Sequence, residues 1–290
     1  MGLSERGRTV TVTITKRYVP GRYGQLHLRE AGADGKHLPV LLLHQNPSSS
    51  LEYEPLMQAL ATDRRVVAFD TPGYGMSDSP PGPLSIAEYV AAMADSLETA
   101  GLGKDNPFNV YGFHTGSLLT VEMALARPDA VRQIALTGLP MRSAEERAAM
   151  LAKANEVPVL DEAGTVALDM GRKLWDYVVA SRTKGIPLAH QARLWMDKYR
   201  ALDKSSWAYV GVWSYDYERL RQVTQPALLI QPAEVIRDVS IAAARMIPDH
   251  TIADLPQFER DVLDLPEAVT AFAAAMRDFF GAPFLTETTK

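Results

Sequence analysis

Hydrophobic and polar positions change their period several times along the chain. Positions 9–19 and 25–29 alternate apolar and polar residues around Pro20-Gly21-Arg22-Tyr23-Gly24, which predicts an antiparallel hairpin. Two unbroken apolar runs follow, at 39–44 and 65–70, the pattern of strands buried on both faces. Between them, 51–61 reads as a helix. Ser85-Ile86-Ala87-Glu88 is a capping box that opens a helix running to about residue 100. Another apolar run at 107–111 enters Gly112-Phe113-His114-Thr115-Gly116, a helix follows over 117–126, and 131–137 is the next strand. Strands alternating with helices at this spacing predict a mostly parallel sheet with right-handed crossovers.

The pattern then breaks. Residues 140–223 read as helical without a convincing strand, and all four tryptophans lie there. Strand and helix resume at 226–230, 239–246 and 251–255, and 266–280 is a closing amphipathic helix with Pro266 in its first turn. The organisation expected is an α/β core over 1–139 and 224–290, interrupted by a helical cap over 140–223. The tail after Gly281 carries no structural pattern and is expected to be disordered.

Composition narrows the classes. Hydrophobic residues make up 47% and charged residues 22% of the 290, as in a soluble globular protein. The net charge is −5 with Lys and Arg scattered, so there is no electrostatic footprint for nucleic acid. Cysteine is absent, which excludes disulfides, thiolate metal sites and a Cys nucleophile. The first residues lack an apolar signal segment, and no run approaches the ~20 residues that span a bilayer. A cytoplasmic setting is expected, without membrane contact. No His or carboxylate cluster has metal-ligand spacing, so neither a metal nor another cofactor is expected. A homodimer would be unsurprising.

The richest chemistry lies at 107–126. Strand, glycine-flanked turn and helix form the setting of a nucleophile elbow, in which the central side chain projects from a strained turn. The usual pattern is G-x-S-x-G; here the centre is His114.

On these residues the chain resembles the α/β-hydrolase fold with a helical cap, over nearly its whole length. His44-Gln45-Asn46-Pro47 stands where that family has its His-Gly oxyanion motif. Asp70-Thr71-Pro72-Gly73-Tyr74-Gly75-Met76-Ser77 looks like its D-x-x-G-x-G-x-S loop. Residues 226–230 look like the strand before the triad acid, and 265–269 like the segment after the triad histidine. The catalytic positions depart from the pattern. His114 replaces the nucleophile, the aligned acid position falls on Val235 with Glu234 beside it, and the histidine position holds Glu259. Serine acyl transfer needs a nucleophile, a base and an orienter in contact, so a serine esterase, lipase or peptidase is not expected.

Because triad positions converge in this fold, the resemblance implies that His114 faces Glu259, an imidazole–carboxylate pair able to act as acid or base. It also implies an oxyanion hole from the N–H groups of Asn46 and Thr115, with Gln45 crowding it and His44 first structural, then a substrate contact. Of the cap aromatics, Trp207, Tyr209, Trp213 and Tyr215 are the candidates to reach the pocket, which favours an apolar or aromatic carbonyl substrate. Proton abstraction, C–C cleavage, elimination and cyclisation all fit. A non-catalytic binder and a hydrolase whose water is activated by His114 remain open.

Overall fold

The computed structural model describes residues 12–156 and 158–281. Positions 9–11 of the expected first strand and the tail at 282–290 lie outside them. Eight strands form one sheet: β1 (Thr15–Gly21), β2 (Gly24–Ala31), β3 (Val40–Leu43), β4 (Val66–Phe69), β5 (Phe108–Phe113), β6 (Val131–Thr137), β7 (Ala227–Pro232) and β8 (His250–Leu255). Their order is β1-β2-β4-β3-β5-β6-β7-β8. β2 is antiparallel to both of its neighbours, and every pairing from β4 to β8 is parallel. The hairpin closes on Arg22 and Tyr23. Pro20 lies inside β1 opposite Gln25, and β1 is an edge strand, where a missing N–H costs least.

The unbroken apolar runs are explained by the two faces of this sheet. Leu41, Leu43, Val67 and Phe69 pack into one core layer; Val40, Leu42, Val66 and Ala68 pack into the other. The first layer is covered by α2 (Ile86–Ala94) and α3 (Thr115–Ala126), with both halves of the Ser85–Glu88 capping box formed. The second is covered by α1 (Glu54–Leu60), preceded by a 3-10 turn at Ser50–Tyr53, and by a long closing helix at Pro266–Phe280. That helix buries Val269, Phe272, Ala273, Met276 and Phe280, a 3–4 residue stripe.

Between β6 and β7 the chain forms α4 (Ala144–Ala154), α5 (Thr165–Trp175), α6 (Leu188–Tyr199) and α7 (Trp207–Trp213); α5 runs on into a π-helical turn at Asp176–Ala180. α8 (Arg237–Ala244) follows β7, so the closing helix is α9. Two of the seams that tie the helical insertion to the core bear on the site. On one, the Asp261 carboxylate accepts from the Thr183 N–H (2.7 Å) and hydroxyl (2.8 Å), and Asp264 binds His190 (2.7 Å) and Gln191 (3.0 Å). On the other, Ser49 donates to Asp197 at 2.7 Å. Between these seams, at the carboxyl ends of the parallel strands, lies a cavity of about 490 Å³.

Candidate active site

The elbow follows β5 directly. His114 adopts φ 51°, ψ −112°; among the described residues it and Asp261 are the non-glycine residues with positive φ. Such a backbone costs on the order of 1–3 kcal/mol and persists only where its surroundings enforce it. Here the His114 N–H donates to Thr137 O at 2.8 Å, and the His114 carbonyl accepts from the Ser117 N–H at 2.8 Å. The flanking glycines are required sterically. A Cβ on Gly112 would lie 2.0 Å from Gly116 O, and one on Gly116 would lie 1.8 Å from Leu43 O.

The imidazole lines the cavity and is 35% exposed. Its Nε2 is 2.7 Å from a carboxylate oxygen of Glu234, whose side chain is only 10% exposed. An ionised carboxylate only accepts, so Nε2 carries a proton, and in the neutral form of the ring the lone pair is at Nδ1. Nδ1 has no partner among the described residues. Gly138, which follows β6 with φ +74°, makes room for the pair: a Cβ there would lie 2.4 Å from His114 Cδ2 and 3.1 Å from Glu234 Oε1.

The expected partner was Glu259, and this is corrected. Glu259 lines the same cavity but is exposed, and no hydrogen bond or ion pair joins it to His114 among the described residues. The cause is the path of the loop after β7. The Ala233 N–H donates to Phe258 O at 2.7 Å, which pins this loop to the one carrying Glu259. Val235, at the aligned acid position, then projects outward at 97% exposure, and Glu234, one residue earlier, faces His114.

The turn after β3 shapes the other wall. His44 is buried and structural: its Nδ1 donates to Gln45 O at 2.6 Å and its Nε2 accepts from the Thr71 N–H at 2.9 Å. Both ring nitrogens are taken and the residue does not line the cavity, so it offers a substrate no free polar atom. Gln45 does line it, but its side chain is drawn aside. Both its backbone N–H and its Nε2 donate to the buried Glu52 carboxylate, each at 3.0 Å, and Ser48 Oγ adds a third bond at 2.6 Å. Asn46 and Thr115 are both buried and, unlike their neighbours Gln45 and His114, their residues do not line the cavity. Thr115 opens α3, so its N–H has no intrahelical acceptor, and the Asn46 N–H has no acceptor among the described residues.

The four aromatic candidates from the insertion lie elsewhere, a second correction. α7 packs down on the core, with Tyr209 and Trp213 stacked at 6.2 Å and packed against the first core layer. The Tyr209 hydroxyl donates to Asn46 O, and burial pushes its phenol up to about 12. Tyr215 is buried and donates to Glu122 on α3 at 2.7 Å. Trp207 is half-buried and, like the other three, does not line the cavity. The insertion lines it instead with Tyr177 and Val178 from the π-helical turn and with Gln191, Leu194 and Lys198 from α6.

Comparison with known proteins agrees with this architecture. Residues 39–158 match the alpha/beta hydrolase fold family. The chain is 25% identical over 190 residues to (E)-2-((N-methylformamido)methylene)succinate hydrolase of Acinetobacter baylyi, covering 62% of this chain and 68% of that protein. It is 32% identical over 102 residues to a putative carbamate hydrolase RutD of Azorhizobium caulinodans, covering 35% of this chain and only 37% of that protein. A hydrolase from Pseudomonas aeruginosa superposes with a TM-score of 0.71 at 19% identity, covering 92% of this chain and 98% of that one. Sheet order, elbow geometry and these likenesses together show that the chain has the alpha/beta-hydrolase fold, with histidine at its elbow.

Proposed function

We propose that the chain is a cofactor-independent enzyme in which His114 acts as a general base toward a small carbonyl compound. Glu234 holds the Nε2 proton, fixes the ring and offsets the charge that forms when Nδ1 takes a proton. The N–H groups of Asn46 and Thr115 take the charge developing on the carbonyl oxygen. The observation that carries this reading is the 2.7 Å His114–Glu234 contact at a strained elbow, with Nδ1 left unpartnered in a cavity wall. The proton abstracted lies on carbon next to the carbonyl, which opens the way to elimination, C–C cleavage or cyclisation. The helical insertion serves as the cap that shields this chemistry from bulk water. Its lining mixes Tyr177, Val178 and Leu194 with Gln191 and Lys198, and the core adds Phe113, Ile236, Val262 and Leu263, so a largely apolar substrate carrying one or two polar groups suits it.

A second reading is favoured by the relatives, two of which are named as hydrolases: His114 would draw its proton from water, which then attacks the carbonyl. The two separate in one experiment. The protein is incubated with a panel of 1,3-dicarbonyl compounds, enol esters and amides in deuterated water and, separately, in ¹⁸O-labelled water, and followed by NMR and mass spectrometry. Deuterium entering uncleaved substrate next to the carbonyl, faster than without enzyme, supports the first reading; ¹⁸O in the carboxylate released from an amide, without such exchange, supports the second. Either activity is expected to fall about 10²–10⁴-fold in His114→Ala and in Glu234→Gln, and to survive in Glu259→Gln. Full turnover in His114→Ala, or compounds bound and returned unchanged by the wild type, would overturn a catalytic role for the pair.

A further inference from the structure

α6 presents two faces. Gln191, Leu194 and Lys198, spaced i, i+3, i+7, line the cavity, while Arg193 and Asp197 bind Glu54 and Ser49 of the core. Lys198 is the singular member of the first stripe. Its side chain is 13% exposed, and its ammonium makes one hydrogen bond, 3.2 Å to Pro47 O. Its nearest carboxylate, Glu52, stands off at 3.7 Å, beyond hydrogen-bond length.

Glu52 has no short-range need of that ammonium, because Gln45 and Ser48 already give it three bonds of 2.6–3.0 Å. The result is a nearly desolvated ammonium with three N–H groups and one acceptor, facing a cavity. Glu52 supplies the counter-charge that makes its burial affordable, yet leaves its donors free. The carbonyl it touches belongs to Pro47, in the same 45–48 turn that Glu52 binds, and the ammonium lines the cavity that His114 also lines. Preorganised donors aimed at a developing negative charge are strongest when charged and sheltered from water.

We propose that Lys198 is a charged donor to a substrate oxyanion in the His114 cavity, contributed by the helical insertion, and that Glu52 is the positioning residue which holds both Lys198 and the 45–48 turn. It makes the site selective for substrates whose oxygen carries a full negative charge in the reaction, enolates above all. The inference rests on the functional reading above for the place where charge develops, and it is tested without turnover. The probe is 4-nitrophenolate, a delocalised oxyanion with visible absorbance, titrated at a pH above its own pKa. Wild type is expected to bind it with a spectral shift. Lys198→Met and Lys198→Gln, both checked for an unchanged melting transition, are expected to bind it at least about tenfold more weakly, and Lys198→Arg to retain most of the affinity. His114→Ala is expected to keep binding, which separates this test from that of the base. Equal affinity in folded Lys198→Met and Lys198→Gln, or no binding by wild type, would overturn the proposal. Phenolate binding without exchange or hydrolysis of any carbonyl compound would leave Lys198 in place and remove the base.

Discussion

At the scale of single residues, the site is built on exclusions of volume. Gly112 and Gly116 let α3 meet β3 and β5 within distances that no Cβ tolerates, and the strain falls on His114 between them. Gly138 does the same for the imidazole–carboxylate pair. Gly138→Ala would put a methyl group 2.4 Å from His114 Cδ2 and would also strain a backbone at φ +74°. The expected outcome is a protein destabilised by about 1 kcal/mol or more, with turnover reduced well beyond that loss because the pair is pushed apart. Denaturant unfolding alongside turnover checks it; an alanine variant with unchanged turnover would show that the contact is dispensable. His114 itself was legible in the sequence, because glycine spacing between a strand and a helix marks the elbow whatever its centre holds. Glu234 was legible only as a neighbour of the aligned position. Which of two adjacent loop residues faces inward is set by the Ala233–Phe258 hydrogen bond between distant segments, and no local pattern encodes that.

At the scale of elements, strands and helices followed from period. β3 and β4 are apolar at every position because alternate residues feed two different core layers; β1, at the edge, buries one side through Val19, while β2 alternates in polarity yet buries both, Leu26 and Leu28 on one and His27 and Arg29 on the other. The closing helix lies where Pro266 and its apolar stripe place it. The insertion was harder to read. α7, with the sequence WAYVGVW, is apolar around most of its circumference, so no stripe announces which aromatics face the core and which the cavity. The structure turns Tyr209 and Trp213 onto the core. α6 hid its role for the opposite reason: Gln191 and Lys198 on one stripe read as a solvated face until a cavity lies opposite them.

At the scale of the whole molecule, stability and chemistry draw on separate carboxylates. Asp70, buried beneath the turn after β4, accepts from His27 at 2.8 Å and from the N–H groups of Ser50 at 2.8 Å and Met76 at 2.9 Å. Burial pulls its pKa up, but the His27 hydrogen bond, charge attraction to the His44 and His27 rings and the Ser50 hydrogen bond together outweigh that and bring it from 3.8 to about 2. A carboxyl held lower in the folded chain than in the unfolded one stabilises the fold above the unfolded pKa. Its contribution, about 2 kcal/mol, drains away as pH falls from roughly 4 through the folded value. Asp70→Asn is therefore expected to be less stable than wild type near neutrality, the gap narrowing as pH is lowered toward 2. Unfolding curves at several pH values measure this, and a gap as wide at pH 3 as at pH 7 would contradict it. The same fold carries serine, aspartate and other chemistries, so architecture alone does not choose the reaction. That choice rests on the elbow, and the protonation pattern of its imidazole tests it most directly. In ¹⁵N-histidine NMR, with the His114 signal assigned from His114→Ala, wild type is predicted to show the Nε2–H tautomer with an unprotonated Nδ1. Glu234→Gln should disturb that preference, and Glu259→Gln should leave it intact. A neutral His114 carrying its proton on Nδ1, or a preference indifferent to Glu234, would contradict a base held ready by that carboxylate.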